Sequence, residues 1–504
     1  MSERLVEPAI VDVADEILVG GRWRPGRGAD LAPVDPATGA VLARVRGATT
    51  SDVDEAVTLG RAAADDPAWR DLLPHQRARH LHRIGELIDA NTERLARLQT
   101  ADTGKTLTET RALVASAAGT FRFFAAALET QELALTPARG EYLTMSLYEP
   151  IGVVGAITPW NSPIASDAQK VAPALAAGNA VLLKPARWTP LVSLAFGRLV
   201  TEAGLPPGLL SVLPGSGSQV GDAIVRHPGV GKVSFTGGTE TGRAIGRQAA
   251  DKIMPVTLEL GGKSPTIVFP DADLEHALAG VLFGIFSSSG QSCIAGSRIF
   301  VHESIYRAFV SRLVTRTEAL RVGPGTEPDV QVGPLVCLEH RDKVAADVDL
   351  ARTEGARVLC GGAVPSDPAL AGGSYYLPTV LEGLPNSALT CQREIFGPVA
   401  VVLPFRDERD LVEQANDTVF GLACGIWTAD YRRALRVARA IDAGTVWVNT
   451  YKQLSISTPF SGTKQSGIGV EKGQAGILGY SRQKSVYFGL NEQPLPWAGA
   501  GLPS

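Results

Sequence analysis

From Gly152 onward the chain alternates short apolar runs with glycine-containing loops and helical stretches. No other feature narrows its fold as far. The runs are GVVGAIT, AVLLKP, LLSVLPG, KVSFTGG and PVTLELGG. Between them Asp167 to Ala176, Pro190 to Ala203, Gln219 to Arg226 and Glu240 to Ala250 read as helices. Strands that are apolar throughout are covered on both faces, so this alternation predicts a parallel, doubly wound sheet. A second series follows: SPTIVFP, SRIFVHE, PVAVVLPF, GLACGIWT and GTVWVNT, separated by helices such as Ile305 to Ala319 and Arg432 to Ile441. The expected fold class is therefore α/β, with two doubly wound parallel-sheet lobes and a cleft between them.

The segment ahead of Gly152 reads differently. EILVGGRW suggests a strand and PVDPATGAVLARV a hairpin. Helices are expected over Ser51 to Asp65, Pro74 to Thr100 and Lys105 to Gln131, the first capped at Ser51. Two alternating stretches, GEYLTMSLYEP from Gly140 and SRQKSVYFGL from Ser481, lie outside both lobes. They could pair in a small sheet or extend the sheet of a neighbouring subunit, and the expectation is that Tyr142 to Tyr148 and Ser485 to Leu490 pair between subunits.

The 504 residues carry 45% hydrophobic and 20% charged side chains, enough for two or three ordinary globular domains. A net charge of -4 with no basic stripe argues against nucleic acid as a partner. No apolar run reaches membrane-spanning length, so no membrane partner is expected. The acidic start, MSERLVEPAIVDVADE, lacks a signal-peptide core, and the cysteine pattern suits a reducing compartment; cytoplasmic localisation is the expectation. The final EQPLPWAGAGLPS reads as a loose tail.

Five cysteines exclude a full disulfide framework, and none has zinc-ligand spacing, so no metal is expected. Cys337, Cys360, Cys391 and Cys424 sit beside apolar residues and read as small buried hydrophobes. Cys293 sits in FSSSGQSCIAGSR, where Gly290, Ser292, Ala295 and Gly296 let a substrate and the main chain approach the sulfur. It is a candidate nucleophile.

Ligands of a doubly wound sheet bind at the carboxyl ends of its strands. In the first lobe those ends carry TPWNSP with Asn161, LKPARW with Lys184, and the glycine-rich turns PGSGSQVG and FTGGTETG. Such turns, leading into helices, can receive phosphate on backbone N–H groups. The G-x-G-x-x-G fingerprint is absent, because Gly215, Gly217 and Gly221 carry one residue too many. LELGGKSP places Glu259 between leucines at a strand end, a costly position unless the carboxylate is paired or functional.

Taken together and in order, TPWNSP, LLKPA, PGSGSQVG, FTGGTETG, LELGGKSP, GQSCIAGSR, REIFGPV and PFSGTKQSGIG resemble the aldehyde dehydrogenase superfamily, in its hydrolytic, nonphosphorylating branch. The resemblance runs from about Ile17 to Leu490. It implies that Cys293 is the nucleophile, that Asn161 and the Cys293 N–H form an oxyanion hole, and that Glu259 is the base that activates water. It implies NAD or NADP as cofactor. Lys184 would sit on the adenosine ribose, Trp160, Gly217, Gly221, Phe235, Gly237 and Gly238 would shape the dinucleotide site, and Glu394 and Phe396 would place the nicotinamide end. Lys464 would lie near the active-site mouth.

The implied division is 1–137 and 151–258 for dinucleotide binding, 259–476 for catalysis, and 138–150 with 477–504 for oligomerisation, giving a homodimer or homotetramer. The expected partner is a small-molecule aldehyde. A CoA-acylating semialdehyde dehydrogenase, a thiol esterase and a catalytically silent protein on the same fold are the alternatives. Four positions depart from the family's usual pattern. Ser162, Gln169 and Leu454 stand where aromatics are common, which predicts a wider or more polar substrate tunnel. Arg187 stands where an acidic residue is common, which leans toward NADP being accepted.

Overall fold

The computed structural model describes residues 16–132 and 134–491; the expectations for the acidic start and the loose tail fall on residues outside that range. The first sheet has eight strands. Its parallel centre runs, across the sheet, Leu210–Val212, Ala180–Lys184, Val153–Ile157, Lys232–Thr236 and Val256–Glu259. The chain order reverses direction between Val153–Ile157 and Lys232–Thr236, so the crevice of this doubly wound sheet opens beyond Ile157 and Thr236. Leu210–Val212, Ala180–Lys184 and Val153–Ile157 are buried throughout, as their mostly apolar composition requires.

EILVGGRW forms an antiparallel pair, Glu16–Val19 with Arg22–Pro25, on one edge of this sheet. On the other edge Gly467–Ile468 returns from late in the chain and pairs with Leu258 and Glu259. The second sheet has seven strands, in the order Arg357–Cys360, Thr379–Glu382, Val399–Phe405, Arg298–His302, Pro265–Val268, Ala423–Trp427 and Thr445–Val448. All its pairings are parallel except that of Arg357–Cys360. Each sheet has its own buried core, one around Val154, Leu182 and Val233, another around Ile267, Phe300 and Val401.

Three expectations need correction. The stretch Pro74 to Thr100 is two helices, Pro74–Ala90 and Thr92–Thr103, because Asn91 turns its amide onto the Leu87 carbonyl at 2.9 Å and ends the first. The first helix begins at Thr50, its cap being Thr49, whose N–H donates to Asp52 Oδ2 at 2.8 Å; Ser51 lies inside. One helix, Leu107–Glu129, is long and apolar enough to cross a membrane by length and composition, contrary to the expectation. Its Val114, Ala118, Phe121 and Phe124 are fully buried in the first core.

Tyr142–Pro150 and Ser481–Gly489 pair with each other within one chain, antiparallel, from Ser481 opposite Pro150 to Gly489 opposite Tyr142. Pairing of these two strands between subunits is therefore not what the fold uses. Leu135–Thr136 completes a three-stranded sheet, in which Ser481–Gly489 is an edge strand.

Candidate active site

Glu259 ends a strand of the first sheet and Pro265 begins one of the second, so residues 260–264 join the two lobes. Cys293 reaches this joint from the other side. The helix Leu274–Phe286 ends, a turn over Ser287–Gly290 follows, and the chain passes Cys293 before entering Arg298–His302. The site thus lies where the carboxyl ends of the first sheet face the amino ends of the second. Ser288 and Ser289 hold positive φ in that turn (57° and 55°), a strained choice for residues with a Cβ. Glu109 stabilises the turn by accepting from the Ser288 N–H at 2.5 Å.

The two glycines of LELGGKSP explain how the pieces fit. Gly262 donates its N–H to Glu394 Oε1 at 3.0 Å. A Cβ on Gly261 would lie 2.4 Å from Glu394 Oε2, and one on Gly262 would lie 2.4 Å from the Cys293 carbonyl oxygen. Only residues without a Cβ let Glu394 and the Cys293 loop close on this segment together. Ser466 ties the segment down further, donating to the Gly261 carbonyl at 2.7 Å. Asn161, just past the end of Val153–Ile157, donates Nδ2 to the Gln291 carbonyl at 2.9 Å, two residues before Cys293.

The electrostatics are those of a dry joint. Burial, then the charges of Glu394 and Glu259, push the Cys293 thiol up to about 12, while Lys452 works the other way. Glu259 is only 4% exposed, and neither carboxylate oxygen accepts a hydrogen bond from a protein group. Burial and the nearby Glu471 raise its pKa well above the usual carboxylate range. Burial raises Glu394 to about 7. Cys360, Cys391 and Cys424 are buried, Cys337 is half-buried, and all five cysteines are free. Among the described residues no group of His, Cys, Asp or Glu could hold a metal ion.

The remaining candidates gather at the first sheet's crevice. Lys184 is buried with Nζ on the Pro185 carbonyl at 3.0 Å, and burial lowers it to about 8. Gly221 lies beside its stem. PGSGSQVG is a π-helical turn over Gly217–Gly221, with Ser216 Oγ accepting from the Gln219 N–H at 3.2 Å. Gly238 caps the helix Thr239–Ala250, Phe235 lies at the end of its strand, and the Phe235 ring covers Gly237. A Cβ on Gly217 or Gly238 would meet nothing, so both turns present bare backbone to the crevice. Phe396 has φ of 61° and packs edge-on against Trp160 at 5.2 Å. Arg187 is exposed, lies over the Trp188 ring and sits 3.5 Å from Glu339. Lys464 is not free at the mouth; its Nζ donates to the carbonyls of Asn416 and Thr418.

Sequence reasoning missed several neighbours. His340 stacks edge-on against Trp160 at 5.1 Å, and its Nε2 meets the Phe396 carbonyl at 2.8 Å. Glu471 is buried near Glu259, paired with Lys170 at 2.5 Å and bonded to Ser234 and Gln169. Gln169 is therefore turned onto Glu471. Lys452 and Lys472 were missed as well. Their only signal was a charge, in YKQLS and GVEKG, amid small and apolar residues.

These observations agree with what the chain is similar to. The family model described as "Aldehyde dehydrogenase family" matches residues 23–486. A betaine aldehyde dehydrogenase of Cereibacter sphaeroides (strain ATCC 17029) is 43% identical over 93% of this chain and 96% of its own length. A phenylacetaldehyde dehydrogenase of Pseudomonas fluorescens is 40% identical over 94% and 95%. Among solved structures, a Staphylococcus aureus betaine aldehyde dehydrogenase in complex with NAD+ superposes with TM-score 0.95 at 35% identity, covering 97% of this chain and 98% of that one. An NAD+ complex of a Bacillus cereus aldehyde dehydrogenase gives 0.92 at 38%, covering 94% and 96%. With the lobes, the crevice and the match all in agreement along nearly the whole chain, this protein belongs to the aldehyde dehydrogenase family and is an NAD(P)-dependent oxidoreductase.

Proposed function

We propose that the chain oxidises an aldehyde to the carboxylic acid through a thiohemiacetal and then a thioester on Cys293, which water activated by Glu259 hydrolyses. The observation that carries this is Glu259 itself. A nearly inaccessible carboxylate with both oxygens unpartnered is costly unless something other than the protein uses it. Its charge acts on the Cys293 thiol, which supports a use at the nucleophile.

The residues divide the work as follows. The Cys293 sulfur, as thiolate, attacks the carbonyl carbon, forming a C–S bond and moving the π electrons to oxygen. Asn161 Nδ2 and the Cys293 N–H stabilise that oxygen; one Nδ2 hydrogen is held by Gln291, which fixes the amide and leaves the other hydrogen to donate. An oxidised nicotinamide held there would supply the hydride acceptor that the adduct needs to become a thioester. Glu259 then takes a proton from water as its oxygen attacks the thioester carbon, and the Cys293 thiolate leaves with the C–S electrons. Trp160, Lys184, Gly217, Gly221, Phe235, Gly237, Gly238, Glu394 and Phe396 would hold the dinucleotide, and the bare turns at Gly217 and Gly238 fit its pyrophosphate.

We further infer that NADP is accepted at least as well as NAD. Arg187 lies three residues past Lys184, and its present partner Glu339 is an exposed, weak one that a 2′-phosphate can replace. The unpaired edge of Ser481–Gly489 is proposed to join subunits into a dimer or a dimer of dimers; a monomer by light scattering at micromolar concentration would reject it. For the chemistry, Cys293→Ser should abolish aldehyde oxidation while cofactor affinity stays near normal. Turnover by that variant within tenfold of wild type would overturn the nucleophile.

A further inference from the structure

Lys452 is a charged side chain that the reaction described above does not need. It lies on the loop after Thr445–Val448, and that loop is pinned on three sides. Trp447 Nε1 donates to the Gln453 carbonyl at 2.8 Å, and the Gly473 N–H donates to the Ile456 carbonyl at 2.9 Å. Next to Lys452, the Tyr451 ring packs against Gly284, Gly296 and Gly425 and belongs to the apolar cluster on which Cys293 rests. Lys452 itself takes a φ of 55°, a conformation a lysine adopts only when its surroundings dictate it. The side chain is therefore aimed, and its Nζ donates to Ser287 Oγ at 2.7 Å, on the turn that leads to Cys293.

Among the described residues the ammonium forms no ion pair with a carboxylate, although it and the Cys293 thiol act on each other through their charges. Among the described residues its one hydrogen-bond acceptor is the neutral Ser287 hydroxyl, and it lies 5.8 Å from the Phe283 ring centroid. A second cation, Lys105, is near enough to oppose its charge. The single carboxylate that offsets the pair, Glu109, is already engaged: Oε1 accepts from the Ser288 N–H at 2.5 Å, and Oε2 from the Thr106 N–H and hydroxyl, both at 3.1 Å. Glu259 and Glu394 belong to the lobe joint, where Gly262 holds Glu394. A half-buried cation with spare donors, beside a nucleophile and with no carboxylate bonded to it, is the arrangement that receives an anion.

We propose, resting on the Cys293 reading above, that Lys452 is a specificity residue that binds a carboxylate carried at the far end of the substrate, so that the preferred substrates are anionic aldehydes, the semialdehydes of dicarboxylic acids. Phe283 and Leu454, 49% and 46% exposed, offer apolar surface to the carbon chain between the two ends. Burial holds the Lys452 ammonium near 7, and a bound carboxylate favours its protonated form. The same charge disfavours betaine aldehyde, whose trimethylammonium is permanently cationic. Such a head group calls for aromatic faces, and Ser162 and Leu454, where the family often has aromatics, supply none. Specificity here therefore departs from that named for several relatives of similar identity.

The test compares kcat/KM for succinic semialdehyde, butanal and betaine aldehyde on wild type, Lys452→Met and Lys452→Arg. Wild type should favour the semialdehyde over butanal by tenfold or more and turn over betaine aldehyde worst. Lys452→Met should lower the semialdehyde-to-butanal ratio about tenfold, mainly through KM, and Lys452→Arg should keep most of it. The ratio cancels any effect of Lys452 on the thiol, which both substrates share. An unchanged ratio in Lys452→Met, or a wild-type preference for betaine aldehyde, overturns the proposal while leaving the thioester reading intact. Turnover that survives Cys293→Ser defeats that reading instead. Should Lys452→Met be poorly folded, the dissociation constant of succinate as a competitive inhibitor of wild type and Lys452→Gln decides: equal values overturn the proposal, and a tenfold weaker one for Lys452→Gln supports it.

Discussion

Asn161 and Gln291 join the two lobes across the reacting site: the side-chain amide of one donates to the main-chain carbonyl of the other at 2.9 Å. The bond fixes the loop that carries Cys293 relative to the first sheet. It also sets the direction in which the remaining Asn161 hydrogen points, as the oxyanion-hole role proposed for it requires.

Removing that amide should cost rate more than affinity. A donor aimed at a developing oxyanion contributes about a hundred- to a thousandfold to kcat. Asn161→Ala should lose kcat in that range, and Asn161→Asp should do no better because it places a negative charge where a second one develops. Steady-state kinetics at saturating cofactor check this; a loss confined to KM would remove Asn161 from the oxyanion hole.

The thiol should be slow to alkylate in the free enzyme and should respond to Glu394. Burial and carboxylate charge hold Cys293 near 12, so below that value its thiolate fraction rises about tenfold per pH unit. Glu394, at about 7, is ionised at pH 9 and opposes the thiolate. Glu394→Gln removes that opposition, lowers the thiol pKa and should speed iodoacetamide labelling of Cys293 at pH 9, by roughly threefold for each half unit. Slower labelling would show that Glu394 does not act on the sulfur through its charge.

Cofactor choice should turn on Arg187. A partly exposed charge-assisted contact to a 2′-phosphate is worth about 1–3 kcal/mol, or roughly 5- to 150-fold. Arg187→Glu should shift the ratio of kcat/KM values toward NAD by tenfold or more. An unchanged ratio would mean that Arg187 remains with Glu339 and Trp188 when the cofactor binds.

Both sheets were legible because a strand buried on two faces must be apolar nearly throughout, and Val153–Ile157 and residues 180–183 are. Cys293 and Glu259 were legible because each is out of place locally, a thiol among glycines and an acid among leucines. What hid from the sequence was held by contacts distant along the chain. Gln169 reads as a tunnel residue until Glu471 is seen to hold it, and Lys170 meets Glu471 across 301 positions. His340 gives no local sign that it will lie on Trp160. The partner of Tyr142–Pro150 was readable, but its pairing within one chain was not, since alternation marks a half-buried strand and not the molecule that covers it.

The most direct measurement of the central claim is a rapid-mixing experiment on Glu259→Gln with saturating aldehyde and cofactor, quenched in acid and read by intact mass. Glu259 is assigned only the release of the thioester. The variant should therefore produce one equivalent of reduced cofactor in a burst, then stall with the acyl group as a mass increment on Cys293. No burst, or a burst followed by cycling at the wild-type rate with unmodified Cys293, would contradict the assignment of Glu259 as the base that frees the acid.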